Sequence, residues 1–166
     1  MAPNLDWITP LLAVGGDFPS AEAGRLAREM EIEAVVDLRA EAAHAPEPLA
    51  ACGLSLMHLP TEDHMAVAQE DLDAGVAFVR GFLARGRKVL IHCREGVGRS
   101  ALLALCVLVD RDMAPMEALN LAKDRRWQVS PSPAQYQAWA TWLGRRGLSV
   151  PSFQAFAAVA YRHIGG

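Results

Sequence analysis

Residues 101–109 form a run of nine side chains with no polar group among them. The run is far too short for the roughly 20 residues that cross a bilayer. A helix that is apolar all round must be covered all round, so the rest of the chain has to build layers about it. Directly upstream, residues 89–91 read as a buried strand, and the turn between the two carries Gly96 and Gly98. Strand, glycine-bearing turn and buried helix together predict a layered α/β domain.

The remaining periodicity fits that frame. Short apolar runs at 11–14, 34–38 and 54–59 predict further buried strands. Helical patterns alternate with them. Residues 20–30 open on Ser20 as a candidate cap, with Glu22 in the first turn and Leu26 and Met30 four apart; residues 69–85 place Leu72, Val76, Val79, Phe82 and Leu83 at spacings of three and four. Pro115 starts a helix through 126, and Ser132 and Pro133 supply a cap and first position for a helix through 143. Residues 46–52 read as a short loop or helix at the sheet edge. The expected fold is α/β, a central mostly parallel sheet flanked by helices on both faces. Residues 1–147 make one domain. Residues 148–166 form a helical extension packed on it, with Phe153, Phe156, Val159 or Ala160, and Ile164 on roughly one face.

Length and charge narrow the function classes. A chain of 166 residues suits one core. Sixteen basic against nineteen acidic side chains give 16 − 19 = −3, which argues against nucleic acid as a partner, so any anion site must be local. Neither a membrane span nor a secretory signal is recognisable, and three cysteines without scaffold spacing fit a reducing compartment; a cytoplasmic location is expected.

The chemistry concentrates in residues 89–100. Cys93 follows the apolar strand, a loop with Gly96 and Gly98 comes next, and Arg99 opens the buried helix. Such a loop turns successive amides inward, and the helix adds its own N-terminal donors, so residues 94–99 (Arg94, Glu95, Gly96, Val97, Gly98 and Arg99) are expected to bind a phosphate- or sulfate-type anion. The planar fork of Arg99 suits two oxygens of a phosphoryl group better than a lysine would. The same donors favour the thiolate form of Cys93, the form that attacks. His92 points to the other side of the strand and serves as a support residue, while Ser100 is placed to donate its hydroxyl to the sulfur when it leaves.

His92-Cys93-Arg94-Glu95-Gly96-Val97-Gly98-Arg99-Ser100 resembles the signature of cysteine-dependent protein tyrosine phosphatases, in their dual-specificity branch. The resemblance runs from about Trp7 to Leu143 through Leu12-Ala13-Val14-Gly15-Gly16, Val35-Val36-Asp37-Leu38-Arg39 and Leu59-Pro60-Thr61-Glu62-Asp63. It implies a phosphomonoester hydrolase acting through a cysteinyl-phosphate on phosphotyrosine and phosphoserine/threonine, with no metal or cofactor. It also implies that Asp63 is the general acid, with Glu62 as the fallback, His64 adjusting the loop and Gln135 helping to place water. Glu95 departs from the Ala usual there and brings negative charge to the rim, which disfavours acidic peptides. A lipid or sugar phosphate is the alternative substrate. A rhodanese-like sulfurtransferase and a silent phosphate-binding module are the rival functions.

Other candidates have plainer readings. Cys106 is expected to be packing, and Cys52 a redox partner of Cys93 only if the fold joins them. Arg125-Arg126 and Arg145-Arg146 read as helix-end charges, the first pair alternatively bordering the pocket. His44, His58 and His163 lack ligand spacing and read as satisfied surface or core residues.

Overall fold

The computed structural model describes residues 2–164; Met1, Gly165 and Gly166, the outermost residues of the two expected segments, lie outside the described residues. One sheet holds β1 (Leu5–Trp7), β2 (Leu12–Gly15), β3 (Ile32–Arg39), β4 (Ser55–Thr61) and β5 (Lys88–His92), in the order β1-β2-β5-β3-β4. β2, β5, β3 and β4 are parallel, and β1 lies antiparallel on β2. The sheet is therefore mostly parallel, as expected. β1 is a strand the sequence reading lacks: its three residues are half-buried with Asp6 in the middle, so neither alternation nor an apolar run marks it.

The helices are α1 (Ala23–Arg28), α2 (Pro46–Ala51), α3 (Gln69–Leu83), α4 (Arg99–Asp110), α5 (Pro115–Arg125), α6 (Pro133–Arg145) and α7 (Phe153–Ala160). The expected cap at Ser20 is corrected. Ser20–Glu22 is a single 3-10 turn, closed by the Glu22 N–H on the Pro19 carbonyl at 2.9 Å, and the Ser20 side chain makes no capping bond. At α6 the sequence signal holds. Ser132 Oγ accepts from the Gln135 N–H, and Gln135 Oε1 accepts from the Ser132 N–H.

Strand alternation assigns the two faces. Val14, Val36 and Ile91 face the cluster built with α3 to α7, while Ala13, Val35 and Leu90 face α1 and α2. Every residue of α4 from Arg99 to Val109 is buried; for 101–109 the all-apolar sequence requires it, and Arg99 and Ser100 are buried polar groups of the loop end. Truncating one of its leucines to alanine would cost about 2–5 kcal/mol. In the tail, Phe156 and Ala160 enter the large cluster, but Phe153 and Ile164 are 38% and 68% exposed, so the expected four-residue face is narrower. Buried Lys123 fastens α7, its Nζ donating to Val129 O and Ala160 O, both at 2.8 Å; burial lowers its pKa to about 8.

Loops leaving the carboxyl ends of β5, β3 and β4 converge at one end of the sheet, where open α/β sheets place their crevices. One residue of travel at the end of β5 separates the faces. Cys93 joins the α3–α7 side and His92 the α1–α2 side.

Candidate active site

The loop after β5 is held from outside by its carbonyls. His92 Nδ1 meets Cys93 O at 3.1 Å, and the Asp17 N–H donates to Arg94 O at 2.9 Å. Arg126 donates from Nη2 to Glu95 O at 2.9 Å and from Nε to Gly96 O at 2.8 Å, and the Ser130 N–H donates to Val97 O at 2.9 Å. Five consecutive carbonyls, 93 to 97, are thus pinned outward. In a trans peptide the N–H opposes the carbonyl, so the amides of residues 94 to 98 turn inward. Among the described residues none of those five amides has a protein acceptor. A concave row of unspent amides is an anion site. Gly96 makes the bend possible: its φ is +70°, and a Cβ there would sit 2.6 Å from Gly15 O and 2.7 Å from Arg126 Nη2.

Arg99 closes the cup. Its guanidinium is fully buried; Nη1 donates to Glu41 Oε1 and Thr61 O, each at 2.7 Å, and Nη2 donates to Glu41 Oε2 at 2.9 Å. Asp63 Oδ1 lies 3.4 Å from Nη2. Nε is buried with no partner among the described residues. An orphaned buried donor is costly, so an oxyanion arriving at Nε relieves a penalty the protein already carries. The hydrogen bonds from Arg99 hold the Glu41 carboxyl down at about 2.

Cys93, 2% exposed, meets the Ser100 hydroxyl at 3.1 Å. Asp63 faces it across a cleft of about 40 Å³ whose lining includes Val97, Gly98, Ser132 and Gln135. Asp63 belongs to the loop between β4 and α3, which is tied to α6: Ser132 Oγ donates to His64 O at 2.7 Å and Gln135 Nε2 to Met65 O at 3.2 Å. The His64 N–H donates to Asp63 Oδ1 at 3.0 Å. A wider groove of about 330 Å³, lined by Ala40, Glu41, Glu62, Asp63 and Arg94, adjoins the cleft. The structure therefore brings Cys93, Arg99, Ser100 and Asp63 together, and Arg94 and Glu95 stand exposed at the rim. It does not join Cys52 to Cys93. Both thiols are free, and Cys52 packs on the opposite face of the sheet.

Two residues, Glu41 and His44, lie outside the sequence reading of the site, and Arg126 entered it only as the alternative reading. Glu41 grips Arg99. Arg126, read first as a helix-end charge and alternatively as bordering the pocket, is buried and clasps the loop from behind while also reaching Asp6 and Asn4. His44 is buried against His92, with 2.9 Å between their Nε2 atoms. Arg145 and Arg146 remain at the surface on Asp73 and Asp110.

Comparison with known proteins agrees with this geometry. The family model described as "Dual specificity phosphatase, catalytic domain" matches residues 16–142, more than half of the chain. The chain belongs to the dual-specificity phosphatase catalytic-domain family. Dual specificity protein phosphatase 12 of Mus musculus is 33% identical over 111 residues, 66% of this chain and 32% of that protein. Dual specificity protein phosphatase 5 of Homo sapiens is 28% identical over 127 residues, 75% of this chain and again 32% of the relative. The chain thus spans about a third of the length of these curated relatives. Among solved structures, Tk-PTP in its active form superposes with a TM-score of 0.78 at 26% identity, covering 87% of this chain and 99% of that one. The dual-specificity phosphatase match spans the signature 92–100 and the segments 12–16, 35–39 and 59–63 that carry the sequence resemblance, apart from residues 12–15. No helix among the described residues is long and apolar enough to cross a membrane.

Proposed function

We propose that the chain hydrolyses phosphomonoesters in two steps through a cysteinyl-phosphate at Cys93. The observation that carries this reading is the inward row of amides 94–98 completed by the orphaned Nε of Arg99, with a thiol at its floor. In the first step the Cys93 sulfur attacks phosphorus in line. The bond from phosphorus to the leaving oxygen breaks, and Asp63 delivers a proton to that oxygen. In the second step water attacks the phosphorus, Asp63 takes its proton, and the sulfur leaves as thiolate while Ser100 donates to it. Arg99 and the amides hold the equatorial oxygens in both steps, the preorganised electrostatic stabilisation that dominates phosphoryl transfer. Intact Cys93, Arg99 and Asp63 favour turnover over silent binding.

Phosphorylated protein segments, on tyrosine and on serine or threonine, are the substrate class we favour. The rim carries Glu62, Glu95 and Asp63 beside Arg94, a poor match for a polyanionic headgroup. A lipid substrate is the second reading, because one relative, from Arabidopsis thaliana and 26% identical over 113 residues, is named phosphatidylglycerophosphate phosphatase PTPMT1. We read residues 1–147 as the catalytic unit and 148–166 as an extension docked on it through Phe156 and Lys123.

Phosphate release from phosphopeptides, phospholipids and p-nitrophenyl phosphate tests the reading. Cys93→Ser is expected to abolish release while vanadate still binds. Asp63→Ala is expected to cut turnover of poor leaving groups by about 10² to 10⁴ and of p-nitrophenyl phosphate much less. Equal losses on both would remove Asp63 from the acid role, and sensitivity to chelators would point to different chemistry.

A further inference from the structure

Behind the loop, on the α1–α2 face, lies a buried polar cluster that the two-step chemistry does not use. Asp37 and His92 have no exposure, Arg39 6% and His44 8%. Ligand atoms of Asp37, His44 and His92 lie within 4.8 Å of one another, a spacing that a metal ion would accept. A permanent cation already sits against two of the three, Asp37 and His44. Arg39 donates from Nε and Nη2 to the two oxygens of Asp37, both at 2.9 Å, and its Nη2 lies 3.3 Å from His44 Nε2. The cluster is therefore a proton network.

Its protons can be assigned. A carbonyl carries no hydrogen, so the 3.1 Å contact between His92 Nδ1 and Cys93 O requires a proton on Nδ1. Burial holds His92 neutral, its pKa lowered to about 4, so its Nε2 is bare. That bare nitrogen lies 2.9 Å from His44 Nε2, a distance that requires a proton between them, and only His44 can supply it. Arg39 forgoes its longer contact by this: Nε and one Nη2 proton stay on Asp37 and Nη1 on Asp17 at 3.1 Å, while the second Nη2 proton, 3.3 Å from His44 Nε2, has no acceptor there. Phe18 stacks on His44 with 4.4 Å between ring centroids and fixes the plane of the donor.

We propose that His44 is a positioning residue for the nucleophile: its Nε2–H donates to His92 Nε2 and locks His92 in the tautomer whose Nδ1–H holds the Cys93 carbonyl. That carbonyl shares a peptide unit with the Arg94 N–H, the first amide of the cup. Pinning one outward aims the other at the anion and the sulfur. The charged or titratable groups acting on His44 are Asp37 and Arg39 on β3, Asp17 after β2, His92 on β5 and His58 on β4. Burial is the largest influence and lowers the pKa of His44, which keeps the donor ring neutral.

The inference rests on Cys93 being the nucleophile, and its test separates the two. In protein labelled with nitrogen-15 histidine, ring couplings at pH 7 are expected to show Nδ1–H on His92 and Nε2–H on His44; the opposite tautomer at either ring overturns the proposal. His44→Phe keeps the stack on Phe18 and removes the donor. It is expected to move the acid limb of kcat/KM, and the pH of half-maximal alkylation of Cys93 by iodoacetate, upward by about half a unit or more. Vanadate inhibition is expected to weaken, and His44→Gln, which restores an N–H, to recover most of the shift. A folded His44→Phe protein with an unchanged profile overturns the proposal. Failure of wild-type Cys93 to react faster than Cys52 would instead locate the error in the nucleophile reading.

Discussion

Two buried arginines stand on opposite sides of the same loop, and they differ in what they have left to give. Arg126, outside, spends its guanidinium on Gly96 O, Glu95 O, Asp6 and Asn4. Arg99, inside, is equally buried, yet its Nε is unspent. A satisfied buried cation is a fastener, whereas a buried donor without a partner is a binding site in waiting. The outer arginine holds the shape and the inner one uses it.

That contrast breaks down if the two respond alike to mutation. The largest loss of stability is expected outside: Arg126→Met removes the donor from the Gly96 and Glu95 carbonyls, while Asp6, 43% exposed, returns to water, and chemical denaturation should show a loss of about 2–4 kcal/mol. Arg99→Lys should leave stability nearly unchanged, because Glu41, 37% exposed, can return to water. Its kcat is expected to fall by about 10² to 10³, the usual cost of losing a preorganised oxyanion donor. An Arg99 variant as unstable as the Arg126 variant would erase the distinction.

Acid should sharpen it, because the arginines do not titrate in the working range but the histidine behind the loop does. His92 is neutral in the fold, with a pKa of about 4 against 6.5 for a free histidine. The unfolded chain therefore binds the extra proton first, and stability should fall as pH drops from about 6.5 to 4, by roughly 3 kcal/mol at full effect. Glu41 contributes with a later window. Its carboxyl is depressed from 4.5 to about 2, so its stabilisation is full above pH 4.5 and fades as the pH falls from there to about 2. The smallest effect is expected at Glu41→Gln, which keeps the shape and removes the charge: about 1 kcal/mol, or roughly fivefold in kcat/KM, after allowing for solvent screening.

How much of this was legible in the sequence follows from the same physics. The strand, turn and all-apolar helix from 89 to 109 announce themselves because one short segment carries both the fold signal and the chemistry. Asp63 was reachable through the resemblance, and the loop places it beside Arg99 and Cys93. Glu41 and His44 were not, and Arg126 only as the alternative reading of its pair, since each acts through partners distant in sequence; a buried arginine at a helix end looks identical to a solvated one until β1 and the loop close on it. One signal was available and unused. Asp37 interrupts the apolar run 34–38, and a charge in the middle of a covered strand implies a buried counter-charge, which Arg39 supplies.

The most direct measurement is a crystal structure of the chain soaked in tungstate near neutral pH. The account expects the tetrahedral anion to lie above the Cys93 sulfur, with the amides of residues 94–98 and Arg99 Nε each about 3 Å from an oxygen. An empty cup, with the anion bound elsewhere or Arg99 Nε turned to a protein acceptor, would contradict it.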